Sequence, residues 1–181
     1  MYKPQLSKRS GFSLIELVIA VTILSILAGV IAPRVSQFSE KAQISRAAND
    51  VKAISRALDY MYADLNAYPR NTAQGVDPGL TSNARVPNAL RPNWEGPYMA
   101  AWPDTHPWGG NYDYQFGAFT NWNFDGTAGN ECYINLRGGT LNRAILTSLD
   151  EAIDDGVFNT GAVQHNNNNV LSVFVGEGTR W

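Results

Sequence analysis

One apolar run, from Phe12 to Ala32, constrains this chain more than any other feature. The run has 21 residues, and Glu16 is its only charged side chain. A helix rises about 1.5 Å per residue, so the run would reach about 30 Å, the thickness of a bilayer hydrocarbon core. Basic residues at positions 3, 8 and 9 precede it, with no acidic residue among the first eleven. The pattern predicts a membrane helix whose amino end stays in the cytoplasm.

Two ordinary kinds of segment share part of this pattern. A secretory signal has a shorter apolar core and a small-residue cleavage site, and no A-x-A pattern lies between the run and Pro33. A plain signal anchor stays open on composition alone. A carboxylate inside a membrane helix is costly, so Glu16 predicts a functional group with a partner. The alternatives are a protonated side chain or one that reaches the lipid headgroups.

The order of residues around this run resembles a known leader. KRSGFSLIELVIAVTILSILAGVIAP is similar to the class III leader and first helix of type IV pilins and of type II secretion pseudopilins. The resemblance implies that a prepilin peptidase cuts between Gly11 and Phe12, and that Phe12 is then N-methylated. It also implies that Glu16 pairs with the free amine of a neighbouring subunit, and that Pro33 is the usual helix-breaking proline. Pairing would satisfy two charges that are each costly to bury alone.

A second helical pattern follows Pro33. Apolar residues recur at steps of three and four, and most charges lie off that stripe. The pattern predicts an amphipathic helix over residues 35–67, ended by Tyr68-Pro69. Together with the anchor the helix would have about 55 residues, with Gly29 and Pro33 as places where it could loosen. The stripe consists of Ile44, Ala47, Val51, Ile54, Leu58, Met61 and Leu65.

Residues 68–111 are rich in proline, glycine and asparagine and show no apolar period. This composition predicts a long surface loop. Within it, YPRNTAQG, NWEGPY and PWGGNYDY resemble the head signature of the major type II secretion pseudopilin, except that His106 stands where that subfamily usually has Asp. We expect His106 and His165 to be exposed loop histidines.

The remaining residues predict a small antiparallel sheet. Alternation of apolar and polar residues predicts strands over residues 112–119, 131–136 and 170–175. A short helix capped by Thr140 would run to residues 154–156, and residues 164–169 would form an Asn-rich turn. Cys132 is the single cysteine, so no intrachain disulfide can form, and we expect it to be a small buried hydrophobe.

The predicted fold class is therefore α+β and pilin-like, with a long N-terminal helix packed on a sheet of three or four strands. The predicted organisation has four parts. They are a leader over residues 1–11 that is removed, a membrane or filament-core helix over 12–34, an amphipathic helix over 35–67, and a head over 68–181, with its loop at 68–111 and its sheet and short helix at 112–181.

Two groups of oxygen-bearing side chains are candidate calcium ligands. Asn121, Asn123 and Asp125 precede a glycine as in the first half of an EF-hand loop, with Glu131 beyond them. The resemblance implies calcium here, whereas the alternative is an Asn/Gly-rich turn that satisfies its own backbone. The second-rank candidates are Asp150, Asp154 and Asp155, which oppose the dipole at a helix C-terminus and could instead be solvated.

Composition excludes several kinds of function. The net charge is −2 with no basic stripe after the leader, which argues against a nucleic-acid surface. The two histidines lie 59 residues apart and no catalytic constellation is present, so we do not expect an enzyme.

The resemblance implies a structural subunit of a pilin-like filament, foremost a type II secretion pseudopilin acting in protein export across the outer membrane. A type IV pilus subunit for adhesion, motility or DNA uptake is the close alternative, and a membrane-anchored periplasmic binding domain that never polymerises is the other. The implied partners are pilin-like subunits including further copies, the prepilin peptidase, the inner-membrane assembly platform and, before assembly, the lipid bilayer. The implied location is the inner membrane, with the head in the periplasm, and then the filament.

Overall fold

The protein is described by a computed structural model that covers residues 11–117, 130–157, 159–165 and 168–181, apart from the side chains of residues 32 and 33. Contacts within the chain divide it into two units, Met1–Lys41 and Ala42–Trp181. The helices and strands of the described residues are α1 (Leu14–Leu65), β1 (Asn111–Gly117), β2 (Glu131–Arg137), α2 (Arg143–Ile153), β3 (Val163–His165) and β4 (Leu171–Glu177), with short 3₁₀ turns at Asn83–Arg85 and Arg91–Asn93.

Helix α1 has 52 residues, and its backbone stays helical at Gly29 and Pro33. It ends where Asn66 takes a left-handed φ of 50°. The Asn66 N–H still donates to the Tyr62 carbonyl at 2.7 Å, while the Asn66 carbonyl accepts from the Thr179 hydroxyl at 3.1 Å. Asparagine tolerates this conformation better than most residues, so the helix ends at Leu65, two residues short of the predicted end at residue 67.

The carboxyl-terminal part of α1 supplies one side of the core of the second unit. Residues three and four apart share one face of a helix, and the predicted stripe is buried on that face. Ile54, Leu58 and Met61 have no exposed surface, whereas Ile44, at the start of the stripe, is only partly buried.

The four strands form one antiparallel sheet in the order β1-β2-β4-β3. Successive side chains of a strand point to opposite faces, so pairs such as Tyr114↔Ile134 and Ile134↔Val173 lie on the same face. That face joins the α1 stripe in one apolar cluster, in which Cys132 is fully buried, as predicted. The Tyr114 hydroxyl donates to the Pro69 carbonyl at 2.9 Å and so ties β1 to the chain after α1.

The opposite face of the sheet carries a buried polar row. Asp113, Asn135 and Ser172 are register partners on β1, β2 and β4, and the Ser172 hydroxyl donates to the Asn135 side chain. Asp113 forms an ion pair with Arg137 at 3.1 Å. Burial raises the pKa of Asp113, and the Arg137 guanidinium opposes that rise. Asp113, Asn135 and Ser172, which alternate with core residues along their strands, are therefore buried rather than solvated.

Two local predictions of secondary structure were wrong. Val163, Gln164 and His165 form β3 rather than opening an Asn-rich turn, because they pair with residues 171–173 of β4. A three-residue strand is too short for alternation to predict it. Helix α2 is capped by Asn142 rather than Thr140, since the Asn142 side chain accepts from the Ile145 N–H at 3.0 Å.

Both histidines are buried, not exposed, with His106 2% and His165 3% accessible. Nδ1 of His106 accepts from the Trp108 N–H at 3.3 Å, which leaves Nε2 to donate to the Arg137 carbonyl at 3.2 Å. Burial lowers the pKa of both imidazoles. His106 thus acts as a neutral clamp between the Pro-Trp-Gly turn and the end of β2.

Candidate functional site

The first part of α1 leaves its apolar side chains uncovered. Phe12 is 90% exposed, and each large apolar residue from Leu14 to Ile31 is more than half exposed. A helix that is apolar all round requires a membrane or other helices around it. By length and composition, α1 is the one helix among the described residues that could cross a membrane.

Glu16 has a local partner at the start of α1. Its Oε2 accepts a hydrogen bond from the Ser13 N–H at 2.9 Å, and the Ser13 carbonyl accepts from the Leu17 N–H at 3.2 Å. This is the back-bonding half of a Ser-x-x-Glu capping box. The first N–H groups of a helix have no intrahelical acceptor, and the positive end of the helix dipole also favours a carboxylate there.

The capping role was missed on the sequence, although Ser13 and Glu16 have the required spacing. The predicted processing residues, Gly11 and Phe12, lie just before the helix and are exposed. Phe12 immediately precedes the Ser13 N–H that Glu16 accepts. An amine created at Phe12 would therefore lie one residue from the group that already engages this carboxylate. Pro33 lies within α1.

The second-rank acidic residues come together at the end of α2. Asp150, Asp154 and Asp155 each offer a carboxylate oxygen, and these oxygens lie within 4.8 Å of one another. The Asp150 side chain has no exposed surface, and its Oδ2 lies 3.9 Å from Nε2 of His165. Burial, reinforced by the neighbouring acidic residues and opposed by a Gly156 backbone contact, raises the pKa of Asp150 to about 6.

The two exposed members of this cluster already have backbone partners. Asp154 Oδ2 accepts from the Ala162 N–H at 2.6 Å, and Asp155 Oδ1 accepts from the Val157 N–H at 2.8 Å. Asp155 Oδ2 also accepts from the Thr160 hydroxyl at 3.0 Å. The carboxylates therefore hold the loop between α2 and β3 in place. Sequence reasoning noted the unfavourable helix dipole and a candidate cation but missed this role in the loop, because the donors lie up to nine residues further along.

Gly161 shows how tightly this loop is built. Its φ is +74°, a left-handed conformation that favours glycine, and Asp154 Oδ2 occupies the place of a Cβ. The glycine at position 161 therefore has a structural reason.

These residues could also hold a metal ion. An all-carboxylate set suits a hard cation such as Ca²⁺, which binds oxygen ligands. Neither oxygen of buried Asp150 accepts a hydrogen bond of ordinary geometry in the part of the chain described here. A cation would relieve the burial of this charge. The cluster therefore fits a cation in its donor chemistry.

The first-rank calcium candidates are not brought together by the described structure. Asn121, Asn123 and Asp125 lie outside the described residues. Glu131 begins β2, where it is buried opposite Gly117 and Glu177. That predicted site stays a prediction.

Residues 34–130 match the family described as type II secretion system (T2SS), protein G, and residues 6–32 match the prokaryotic N-terminal methylation motif. Among solved structures, the major type IV pilin PilA1 from Clostridium difficile aligns with 18% identity and a TM-score of 0.47, over 76% of this chain and 97% of that one.

Several curated relatives share one description, type II secretion system core protein G. The relative from Pseudomonas aeruginosa is 37% identical over 61% of this chain and 75% of its own length. The relative from Aeromonas hydrophila is 34% identical over 70% of this chain and 91% of its own. The relative from Vibrio cholerae is 35% identical over 61% of this chain and 73% of its own length. Given these alignments and a family match over more than half of its length, the chain belongs to the type II secretion system protein G family.

Proposed function

We propose that this chain is a pseudopilin, a structural subunit that polymerises into the periplasmic filament of a type II secretion system and serves protein export across the outer membrane. The observation that carries the proposal is the uncovered apolar surface of α1 in a member of this family. Before assembly the bilayer would cover that surface, and afterwards the α1 helices of other subunits would. The family role is structural rather than catalytic.

The relatives favour secretion over the close alternative, a surface type IV pilus, because those described above are named as type II secretion proteins. The N-terminal methylation motif argues against a domain that never polymerises, since it implies processing as a prepilin. We therefore expect a prepilin peptidase, the inner-membrane assembly platform and other pilin-like subunits as partners. The expected location is the inner membrane, with the head in the periplasm before assembly.

We assign Glu16 two partners, one within its own subunit and one in a neighbouring subunit. In the single subunit it accepts the Ser13 N–H and caps α1. After a cut between Gly11 and Phe12, it would also accept the Phe12 amine of a neighbouring subunit, which neutralises both charges in an apolar filament core. Such a pair would select one stagger between neighbours, as a buried polar residue does in a coiled coil. Pro33 would mark the place where α1 leaves the most apolar part of that core.

Glu16→Gln separates the two roles. The amide oxygen can still accept the Ser13 N–H, but the charge that would pair with an amine is gone. We expect normal cleavage and membrane insertion, with the amount of sedimentable filament reduced at least about tenfold. The reason is that the Phe12 amine of the neighbouring subunit is left buried without a partner, which costs about 3–5 kcal/mol. Ser25→Ala is the matched control, since the Ser25 hydroxyl only donates to its own helix at Val21. If Glu16→Gln is processed and assembles like the unsubstituted chain, the pairing proposal is wrong.

We further propose that Asp150, Asp154 and Asp155 together bind a calcium ion. This proposal is supported by the clustering of three carboxylates, of which that of Asp150 is fully buried. The role of the ion would be to stabilise the loop between α2 and β3, a function for which Ca²⁺ suits an oxygen-only ligand set.

A further inference from the structure

A basic cleft lies where the chain after α1 meets residues 179–181. It has a volume of about 500 Å³, and a second hollow of about 360 Å³ shares Arg70, Asn71 and Trp181 with it. No acidic residue is among the described residues that line either hollow. The basic cleft is lined by Arg70, Asn71, Thr72, Pro78, Arg85, Pro87 and Trp181, and the second hollow adds Arg180.

The floor of the basic cleft is fixed by backbone pairing. The Tyr68 N–H donates to the Thr179 carbonyl at 2.7 Å, and the Trp181 N–H donates to the Tyr68 carbonyl at 3.2 Å. Nε of Arg70 donates to the Trp181 carbonyl at 2.6 Å, which orients the guanidinium beside the cleft. The Asn71 side chain accepts from the Phe116 N–H on β1 at 2.5 Å. The floor is therefore preformed.

The walls of the basic cleft are fixed by side chains that hydrogen-bond to the backbone beside them. The Asp77 carboxylate accepts from the N–H groups of residues 79–81 and thereby fixes the turn that follows Pro78. Arg91 donates to the carbonyls of Ala84 and Val86 at 3.1 and 2.9 Å, one on each side of Arg85. Preformed walls reduce the entropy lost when a ligand binds.

Arg85 and Arg180 have no carboxylate partner among the described residues. Arg85 has no hydrogen bond or ion pair with a described residue, and Arg180 lies 5.7 Å from the centre of the Phe116 ring. Arg70 uses only Nε. Guanidinium groups bind carboxylates strongly, often with two parallel hydrogen bonds. Because Pro78, Pro87 and Trp181 lie beside these cations, the cleft suits a segment that combines carboxylates with an apolar side chain.

The same chain presents such a segment. Glu151, Asp154 and Asp155 are exposed at the end of α2, whose last turn contains no basic residue. Val157, which is 49% exposed, follows them. Contact between two different surfaces of identical subunits, when it does not close into a ring, generates an open helical polymer.

We propose that the basic cleft of one subunit binds the acidic end of α2, residues 151–157, of a second copy. The Arg85 guanidinium pairs with the Glu151 carboxylate, and the apolar wall receives Val157. This proposal rests on the proposed function, because polymerisation brings the heads of many copies together. It gives the head its own contribution to filament order beside that of α1.

Cysteine cross-linking in filaments of the full-length chain tests this contact. The native Cys132 is fully buried and does not compete for oxidation. In oxidised filaments, Arg85→Cys with Glu151→Cys should give a ladder of disulfide-linked multimers that collapses on reduction. Each single variant should give no ladder beyond a dimer. The matched control combines Arg85→Cys with Glu95→Cys, because Glu95 is exposed but lies outside residues 151–157.

A charge exchange covers the case in which the double-cysteine variant fails to assemble. Arg85→Glu and Glu151→Arg should each lower the sedimented fraction about threefold, as loss of one exposed ion pair would, and their combination should restore it. Normal filaments with neither a ladder above the control nor restoration overturn this contact alone. Failure of the unsubstituted chain to polymerise overturns the proposed function, and the contact with it.

Discussion

Gly161 offers a quantitative test of the loop between α2 and β3. Its φ of +74° and the position of Asp154 Oδ2 are two separate obstacles to a side chain. Gly109 has a similar φ of +80°, but an added Cβ would meet nothing within 4 Å. Comparing Gly161→Ala with Gly109→Ala therefore isolates the contact with the carboxylate from the cost of left-handed backbone.

The expected magnitudes follow from these contacts. Alanine in a left-handed conformation costs about 1 kcal/mol at either position. At Gly161 the methyl group must also displace the Asp154 carboxylate. That carboxylate accepts hydrogen bonds from the Ala162 and Val163 N–H groups at 2.6 and 3.4 Å. A hydrogen bond to a charged group contributes about 1.5–3 kcal/mol, less where water can replace it, so about 1–2 kcal/mol is added here. We expect the free energy of unfolding to fall by about 2–3 kcal/mol for Gly161→Ala and by about 1 kcal/mol for Gly109→Ala.

Equilibrium urea unfolding of the detergent-solubilised chain, followed by tryptophan fluorescence, measures these losses. A double-mutant cycle with Asp154→Ala adds an internal check. Once the carboxylate is absent, Gly161→Ala should cost only the conformational part, about 1 kcal/mol. Equal losses for the two glycines, or no coupling between Gly161 and Asp154, would refute the role assigned to Asp154 in this loop.

Two further predictions concern titration and metal binding. Burial lowers the pKa of His106 below its usual 6.5. On acidification this histidine is therefore protonated in the unfolded chain before it is protonated in the folded chain, and the free energy of unfolding falls as pH drops below about 6.5. His106→Asn should make this fall shallower in urea unfolding between pH 7 and 5, and an unchanged slope would contradict the neutral clamp. Calcium should raise the thermal unfolding midpoint of the unsubstituted chain, and a chelator should reverse the rise. Asp150→Asn should abolish this response, and Glu95→Gln, remote in sequence from the cluster, should keep it; no calcium response in the unsubstituted chain would contradict the cation proposal.

The elements that the sequence predicted well depend on local periodicity. The stripe from Ala47 to Leu65 repeats at the helical period, and β1 and β2 alternate at the period of a strand. These periods alone select which side chains face the core. The N-terminal methylation motif was equally readable, because it lies in one short segment, residues 6–32.

The features that sequence reasoning missed depend on partners distant along the chain. His106 is buried because it meets the carbonyl of Arg137, 31 residues further on. Residues 163–165 become a strand because β4 supplies an edge for them to pair with. Asp154 finds its donor eight residues away, in a loop whose path depends on where β3 lies.

By itself, the sequence determined three features of this chain: an apolar helix with one carboxylate, Glu16, an amphipathic continuation of that helix, and a strand-rich head. It also determined the family, because these properties lie in contiguous residues. Only the tertiary structure decided that Asp154 and Asp155 hold a loop together and that both histidines lie inside. It alone brought Arg70, Arg85 and Arg180 to neighbouring hollows. The physical reason is that burial and charge clustering depend on which distant segments pack together, and local periodicity carries no information about that.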